Sequence, residues 1–150
     1  MTAPELQSYL HQKIPISRSL GVEVLDFSYE MIRIKAPFEP NINHEATIFG
    51  GSIACLLLLA GWSRVRFLSL DFEPLPRIVV QNSEVDYRNP VTGDFIACCV
   101  APPEEAVSAF ARTYAKRKKS RINVEAYIEG DADEKAALFQ GRYVVFDKKK

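Results

Sequence analysis

The chain has 150 residues, of which 47% are hydrophobic, and this is enough for one domain with a substantial core but too few for two. We therefore predict a single domain over residues 1–150. Lysine plus arginine and aspartate plus glutamate each number 19, so the balanced charge excludes a general attraction to nucleic acid or to an anionic membrane. An anionic partner has to be bound by a local patch.

The cysteines and the N-terminal segment indicate the compartment. Cys55, Cys98 and Cys99 lie in apolar surroundings, and adjacent residues of a strand point to opposite faces, so we expect reduced core cysteines. The N-terminal segment has no apolar signal-peptide core, and the apolar block over residues 53–62 is too short to span a bilayer. These features predict a cytoplasmic protein with no membrane partner.

The first half of the chain predicts a helix, two strands and a longer helix. The first helix covers residues 4–13 and stops before Pro15, because the residue that precedes a proline disfavours the helical conformation. Two antiparallel strands follow at 22–27 and 32–36. The second helix, from about 50 to 70, is hydrophobic nearly all round, so we expect other elements to enclose it.

The second half predicts four strands and one shorter helix. Prolines and Gly-Asp turns separate runs of β-branched or alternating residues. The predicted strands cover 78–88, 95–100, 122–128 and 138–146, helical spacing recurs over 106–114, and a solvated basic tail follows at 148–150.

These elements predict an α+β domain in which an antiparallel sheet of about six strands wraps around the long central helix. One sheet cannot cover that helix and also leave no open edge. We therefore expect the sheet to continue across a two-fold axis into a second subunit, which makes the protein a homodimer.

A polar loop delivers Gly50 and Gly51 to the start of the apolar helix. The first backbone N–H groups of a helix have no partner inside it, and glycine lets a ligand oxygen approach them without meeting a Cβ atom. Such a site favours developing negative charge, as on the oxygen of a reacting carbonyl or thioester. The N–H groups of Gly51 and Ser52 are the predicted donors, although a tight loop-to-helix junction explains the glycines equally simply.

The polar residues of the same loop each have a structural and a functional interpretation. Thr47 either caps the helix or assists catalysis, and Asn43 either forms an Asx-turn or orients a substrate carboxylate or thioester. His44 is able to transfer a proton near neutral pH, but solvent exposure is the default for a loop histidine. Glu45 serves as a base only if the loop turns it inward.

Four consecutive polar residues interrupt the apolar strand predicted at 78–88. They are Gln81, Asn82, Ser83 and Glu84, and we expect both faces of the strand to be at least partly covered there. Covered polar groups need partners. Two interpretations stay open: these residues line the substrate pocket of the opposite subunit, or they satisfy one another across the two-fold axis.

The chain resembles hotdog-fold proteins, in which a curled antiparallel sheet wraps a central helix and dimers hold substrate at the subunit boundary. More narrowly, it is similar to a small bacterial group of thioesterase-like proteins that includes the malonyl-acyl carrier protein decarboxylases, which make starter units for fatty acid synthesis. The resemblance extends over about 14–147. It is carried by Pro40-Asn41-Ile42-Asn43-His44, Thr47, Phe49-Gly50-Gly51-Ser52 and Leu59-Ala60-Gly61-Trp62.

The resemblance implies an enzyme whose substrate is carried on phosphopantetheine, either of acyl carrier protein or of coenzyme A, with no cofactor of its own. It favours the functional interpretation of Asn43. The implied catalytic residues are Asn43, His44, Glu45, Thr47 and Gly51, and the implied substrate-binding residues are Phe49, Gly50, Ser52, Gln81, Asn82 and Ser83.

The lack of an acidic residue in the central helix indicates which reaction the protein catalyses. Many hotdog thioesterases, by the resemblance, carry an acidic residue in the central helix, whereas the block at 53–62 has none. Hydrolysis needs a base or a nucleophile, but decarboxylation of a malonyl thioester needs an oxyanion hole and a dry pocket. The leading hypothesis is therefore a malonyl-acyl carrier protein decarboxylase. The alternatives are a thioesterase that uses Glu45 or, less favourably, Asp86, and a non-catalytic acyl-carrier binding module.

Basic residues cluster near residue 117, although the chain as a whole has zero net charge. Most such runs are solvated faces, and the run lacks the interleaved aromatics of a nucleic-acid site. Such a basic patch would attract an acidic acyl carrier protein toward the mouth of the pocket. The predicted carrier-docking residues are Arg88, Arg112, Lys116, Arg117, Lys118 and Lys119, with Arg121 beside them and with Arg64 and Arg66 as alternatives. No metal site is predicted, because His11 and His44 are far apart and Cys98-Cys99 lacks ligand spacing, and no dinucleotide motif follows a strand.

Overall fold

The computed structural model describes residues 1–148, in which six strands form one antiparallel sheet. Of the basic tail predicted at 148–150, residues 149 and 150 lie outside the described residues. The helices are α1 (Ala3–Lys13), α2 (Ile16–Leu20), α3 (Gly50–Leu68) and α4 (Glu104–Arg117), and a 3-10 turn covers Glu39–Asn41. The strands are β1 (Glu23–Phe27), β2 (Met31–Ala36), β3 (Arg77–Tyr87), β4 (Phe95–Val100), β5 (Lys119–Glu129) and β6 (Lys135–Phe146).

The central helix α3 forms the middle of the core. The strand order is β1-β2-β4-β5-β6-β3, and α3 packs most extensively against β2, β3, β4, β5 and β6, while its Phe67 contacts Phe27 of β1 edge to face. Leu56, Leu57 and Ala60 of α3 are fully buried against the sheet. The predicted α+β architecture, with six antiparallel strands around a long helix, is therefore confirmed.

A glycine in the middle of α3 allows the sheet to approach closely. A Cβ atom at Gly61 would overlap the side chain of Tyr143 on β6. The Tyr143 hydroxyl instead reaches past Gly61 and donates a hydrogen bond of 2.7 Å to the carbonyl oxygen of Leu58. The absence of a side chain at Gly61 thus fixes how α3 lies across β6.

Every predicted helix and strand is present, with ends that differ by up to three residues, and one further helix follows Pro15. The predicted helix at 4–13 is present as α1, and β4 begins and ends as predicted, while β5 and β6 each begin three residues earlier. The short helix α2 is not predicted, because Pro15 is treated as a stop. Pro15 instead stands at the N-cap of α2, which ends at Gly21 with a left-handed φ of 78°.

Two arginines of α3 are buried, so the suggestion that Arg64 and Arg66 dock a carrier is wrong. The Arg64 guanidinium donates to the carbonyl oxygens of Tyr29 and Cys99, both at 2.8 Å. Arg66 donates to the carbonyl oxygen of Pro76 and lies over the ring of Trp62. Desolvation by burial lowers the pKa of Arg64 from its usual value. Both side chains therefore stabilise the fold through hydrogen bonds to backbone carbonyl oxygens in its interior.

The central helix is longer than the apolar block that the sequence emphasises. With 19 residues, it is long and apolar enough to cross a membrane by length and composition, which corrects the argument that the block is too short. However, 56% of its apolar window is buried inside the fold. A core helix enclosed by a sheet meets the same criteria, so this length is explained by the core.

The three cysteines are free thiols. Cys98 and Cys99 are buried on β4, and Cys55 is half-buried on α3. Desolvation by burial raises the pKa of Cys98 to about 11 and that of Cys99 to about 12. Since the thiolate is the reactive form, these residues behave as small core side chains, as the sequence predicts.

The two edges of the sheet differ. Along β1, the His11 ring donates a hydrogen bond of 2.8 Å to the carbonyl oxygen of Val22, and the Gln7 side-chain oxygen accepts one of 2.9 Å from the Val24 N–H. Helix α1 therefore covers that edge. Strand β3, 11 residues long, pairs only with β6 and exposes Val79 and Val80.

Candidate active site

The first turn of α3 presents two backbone amides without protein partners. Phe49 is the N-cap residue, and its carbonyl oxygen accepts from the N–H groups of Ser52 and Ile53 at 3.0 and 3.2 Å, so the prediction that the Ser52 N–H is a free donor is wrong. Within residues 1–148, the N–H groups of Gly50 and Gly51 donate to no acceptor. Two free donors at the positive end of a helix dipole can stabilise an oxyanion.

Two aromatic rings border this turn. A Cβ atom at Gly51 would overlap the ring of Phe49, so glycine is required for the ring to lie where it does. The Phe49 side chain remains 56% exposed. The hydroxyl of Tyr87, at the end of β3, donates a hydrogen bond of 2.9 Å to the carbonyl oxygen of Gly50. The glycine pair therefore serves local packing, and its amides stay unpaired beside an exposed aromatic ring.

Asn43 and Thr47 form one hydrogen-bonded unit in the loop before α3. The Asn43 side-chain oxygen accepts from the N–H groups of Glu45 at 2.9 Å and Thr47 at 3.2 Å, so the Asx-turn interpretation is confirmed. Its side-chain nitrogen donates to the Thr47 hydroxyl oxygen at 2.9 Å. One N–H of the Asn43 amide and the hydroxyl hydrogen of Thr47 are left to donate to a ligand.

The interpretation of Thr47 as a helix cap is wrong. The N-cap position belongs to Phe49, which makes no side-chain capping bond. Thr47 lies two residues earlier, where its hydroxyl oxygen accepts from Asn43 rather than from the first turn of α3. Its side chain therefore supports the loop and not the helix.

His44 and Glu45 point to solvent in the single chain. Their side chains are 87% and 74% exposed, and His44 Nε2 lies 3.3 Å from Glu45 Oε1. Neither is brought to the Gly50 and Gly51 amides by residues of its own chain. The inward turn that would make Glu45 a base is not present here.

The polar run of β3 lies on an open edge. The expectation that Gln81, Asn82, Ser83 and Glu84 are partly covered is wrong for the single chain, since all four are exposed. The reason is that β3 has a neighbour on only one side, and the sheet order is not readable from a local pattern. Further along the edge, Asp86 forms an exposed ion pair of 2.9 Å with Arg88.

The predicted docking residues fall into two places. Arg112, Lys116 and Arg117 line a shallow depression of about 330 Å³ on the last turns of α4. Lys118 donates a hydrogen bond of 2.6 Å to the carbonyl oxygen of Glu73. Arg88 is separate from this group, beyond the end of β3, whereas Lys119 begins β5 beside the α4 residues.

The register of the sheet separates the amides from the basic residues. Lys119 is opposite Phe146, and Phe146 is opposite Arg77 at the start of β3. The Gly50 carbonyl oxygen contacts Tyr87 at the end of β3. Ten residues of an extended strand span about 33 Å. Within one chain, Lys119 and the basic residues at the end of α4 therefore lie at the opposite end of the sheet from the glycine amides, whereas Arg88 lies at the same end.

Asn41 and Tyr87 are structural parts of the site that sequence reasoning missed. The buried Asn41 side chain donates to the carbonyl oxygens of Leu20 at 2.9 Å and Pro37 at 2.8 Å, and its backbone carbonyl accepts from the Phe49 N–H. Asn41 thus anchors both ends of the loop. In the sequence, Asn41 is marked only by the proline before it, and nothing near Tyr87 or Gly50 indicates their contact.

Within residues 1–148, no group of three His, Cys, Asp or Glu side chains is placed to hold a metal ion.

Comparison with solved structures shows close likeness across the whole chain. A Chlorobaculum tepidum protein of unknown function is 29% identical, with 97% of this chain and 94% of that chain covered and a TM-score of 0.92. A protein described as a putative thioesterase from Shewanella oneidensis is 26% identical, with 97% of both chains covered and a TM-score of 0.84. A Haemophilus influenzae thioesterase, 15% identical over 100% of this chain and 94% of its own, shares the fold with a TM-score of 0.76.

These similarities confirm the hotdog fold that the sequence predicts. A family model described as "Putative thioesterase (yiiD_Cterm)" matches residues 3–147, which is nearly the whole chain and includes the loop, the glycine amides and the sheet that carries them. The protein belongs to this putative thioesterase family.

Proposed function

We propose that the protein acts on acyl thioesters at the first turn of α3, and that its reaction is the decarboxylation of a malonyl group carried by acyl carrier protein. The observation that supports this most directly is the pair of Gly50 and Gly51 amides that lack an acceptor in residues 1–148. They stand at the N-terminus of a helix that is 19 residues long and mostly buried. A thioester oxygen placed there gains hydrogen bonds as it becomes negative.

The proposed reaction breaks the bond between the malonyl carboxylate and the α-carbon. Carbon dioxide leaves, and the bonding electrons form the carbon–carbon double bond of a thioester enolate, whose oxygen is held by the two amides. A proton then adds to the α-carbon and gives the acetyl thioester, with the bond to sulfur intact. The Thr47 hydroxyl, whose oxygen accepts from Asn43 and whose hydrogen is free to be donated, supplies this proton and regains one from bulk water.

The surroundings of the amides support decarboxylation over hydrolysis. The 19 residues of α3 include no aspartate or glutamate. Glu45 is exposed beside His44, and Asp86 is exposed beside Arg88. A hydrolase needs a group that activates water. Decarboxylation needs no such group, because the departing carboxylate itself supplies the electrons.

Asn43 orients the malonyl carboxylate in this proposal. Its side-chain oxygen is already occupied by two backbone N–H groups, so only its remaining N–H faces outward. Because the Asn43 amide has no positive charge, it orients the carboxylate without stabilising it strongly. Loss of carbon dioxide is therefore not opposed. Thr47 fixes the amide orientation by accepting its other N–H.

A homodimer completes the proposed site. Strand β3 has a free edge, with Val79 and Val80 exposed at its start and Gln81, Asn82 and Ser83 exposed at its centre. Antiparallel pairing of two β3 strands would satisfy both edges and carry the polar residues of one subunit toward the other. The substrate's phosphopantetheine supplies the thioester, so the protein needs no cofactor of its own.

Thioester hydrolysis is the second candidate. The family description and the Shewanella oneidensis relative both carry the word thioesterase. A hydrolase would use Glu45 as its base after a change of the loop, or a carboxylate of the partner subunit. A non-catalytic acyl-carrier binding module is the third possibility.

Mass spectrometry of malonyl-carrier and acetyl-carrier substrates separates these functions. Decarboxylation converts malonyl-carrier to acetyl-carrier with the thioester intact, and Asn43→Ala slows it by about 10²-fold, the scale of one lost positioning or oxyanion contact. Asn89→Ala, in an exposed turn, is the matched control. Free carrier thiol would establish hydrolysis instead, and tight carrier binding without turnover would establish a binding module.

A further inference from the structure

A groove of about 940 Å³ lies between α4 and the exposed face of β5. One wall is the side of α4 that carries Ala106, Ala109 and Thr113. The other wall is formed by β5 and β6, whose residues Asn123 and Arg142 are directly opposite in the sheet register and therefore share a face. The groove is distinct from the first turn of α3, and none of the proposed catalytic residues lines it.

The groove is strongly basic. Arg117, Lys119, Arg121 and Arg142 line it, and all four side chains are exposed. In the part of the chain that is described, none of them forms an ion pair. Glu125 is the acidic lining residue, and it lies four residues of strand away from Arg121, about 13 Å. Arg142 is opposite Asn123 and therefore only two strand residues, about 7 Å, from Glu125, so the lining is basic overall with one acidic residue in a chain of zero net charge.

The floor of the groove is apolar. The exposed apolar lining comes from Val100, Pro103, Ala106 and Ala109, with the buried core residue Phe110 beneath them. The small side chains of Ala106 and Ala109 leave room for another backbone to come close to α4. From Ala106 to Arg117 the helix rises about 17 Å, which equals three helical turns. An apolar floor with one charged rim is the recognition mode of an amphipathic helix in a groove.

We propose that this groove docks an acidic amphipathic helix of about three turns that belongs to the acyl-carrying protein. The inference rests on the proposed function, because only a carrier-bound substrate requires a second protein. The apolar side of the helix packs on Val100, Ala106 and Ala109, and its acidic side chains face Arg121 and Arg142. Arginine pairs with carboxylates through two hydrogen bonds, so this rim fixes orientation as well as attracting charge. Nucleic acid fits less well, because the groove offers no aromatic ring for base stacking at its rim.

The position of the groove decides which active site it serves. Its basic residues lie toward the Arg77 end of the sheet: in the register, Lys119 is about 33 Å, Arg121 about 26 Å and Arg142 about 17 Å along the strands from Tyr87, which contacts the glycine turn of the same chain. If the two β3 strands pair antiparallel along their full length, with Asn82 at the two-fold axis, Arg77 of each chain lies beside Tyr87 of the other. We therefore infer that a carrier docked on one subunit delivers its thioester to the amides of the other.

Steady-state kinetics with two forms of the same thioester test the groove. The substrates are malonyl-acyl carrier protein and malonyl-coenzyme A, and the variants are Arg121→Glu with Arg142→Glu, and Ala109→Trp, which fills the groove without a change of charge. We expect the ratio of kcat/KM for the carrier form to that for the coenzyme A form to fall by about tenfold or more, through KM. Raised salt should shrink the effect of the charge reversals but not that of Ala109→Trp.

Two matched controls accompany these variants. Lys13→Glu with Arg18→Glu makes the same charge change at exposed positions of α1 and α2, and Ala115→Trp places the same ring on an exposed face of α4 that does not line the groove. An unchanged ratio in both groove variants would overturn the docking proposal while leaving thioester chemistry standing. Failure of the wild type to transform either substrate would overturn the proposed function instead.

Mixed dimers test delivery between subunits. One chain carries Arg121→Glu and Arg142→Glu, and the other carries Asn43→Ala. Delivery across the dimer pairs the intact groove of the second chain with the intact amides of the first, so the mixed dimer recovers carrier-dependent turnover, to about a quarter of wild type after random mixing. No recovery above the two parent variants would show that each groove serves its own chain.

Discussion

The two edges of the sheet are treated in opposite ways. At β1, the chain covers its own edge: Gln7 and His11 on α1 bind the backbone of Val24 and Val22. At β3, the edge is longer and has no such cover. An uncovered strand edge is a template for pairing with another chain. The contrast makes β3 the edge that is open to pairing in the proposed homodimer.

The side chains follow the same division. Leu6 and Leu10 of α1 are fully buried, so the covering helix is held on by apolar contact as well as by two hydrogen bonds. On β3, Val79 and Val80 are 47% and 44% exposed. Apolar residues are costly on an edge that stays in water, and their presence there fits a strand that is covered in the assembled protein.

The largest expected effect comes from placing charge on the open edge. Val80→Lys sets like charges close together across the two-fold axis and should cost about 3 kcal/mol of association free energy, which raises the dimer Kd by about 10²-fold. Light scattering over a concentration series measures the change. Turnover should fall with the dimer, because the proposed site uses both subunits.

Leu25→Lys is the matched control for that prediction. Leu25 is 37% exposed on β1, the closed edge, and its replacement should leave the oligomeric state unchanged. Equal loss of the dimer in both variants would show that the effect is general, and an unaffected Val80→Lys dimer would show that β3 is not the interface.

Removing the cover of β1 should have an intermediate effect. Gln7→Ala with His11→Ala leaves the Val24 N–H and the Val22 carbonyl without their side-chain partners. At about 1 kcal/mol for each lost hydrogen bond, the free energy of unfolding should fall by about 2 kcal/mol in urea titration. Hydrogen exchange at the Val24 amide should become faster.

Gln12→Ala, on the exposed side of the same helix, controls for general loss of helix stability. If the double variant unfolds at the same urea concentration as Gln12→Ala, then the two contacts contribute nothing and α1 is held by Leu6 and Leu10 alone.

Much of the fold was predictable because its long elements carry strong periodic patterns. The central helix is apolar around its circumference, and β5 alternates buried and exposed residues along its whole length. Helix α2 was not predictable in this way, since its five residues are too few to show a period. The position of β3 at the edge of the sheet was also not predictable. The order of strands in a sheet depends on contacts between residues that are far apart in sequence.

The candidate site was predictable in position but not in detail. The free amides of Gly50 and Gly51 follow from a helix start that has no capping side chain. The role of Thr47 depended on its bond to Asn43, which a capping pattern does not anticipate. Arg64 was misjudged because charged residues are normally exposed, whereas here three backbone carbonyls accept from its guanidinium inside the core.

The smallest effect should come from the bond that joins the open edge to the candidate site. Tyr87→Phe removes only the hydrogen bond to the Gly50 carbonyl, which is exposed, so the free energy of unfolding should fall by about 0.5–1 kcal/mol. Because that bond fixes the first turn of α3, kcat should fall several-fold with little change in KM. Tyr29→Phe, in an exposed turn, is the control. Equal kinetics in the two variants would mean that β3 reaches the site only through the partner subunit, and that Tyr87 contributes packing alone.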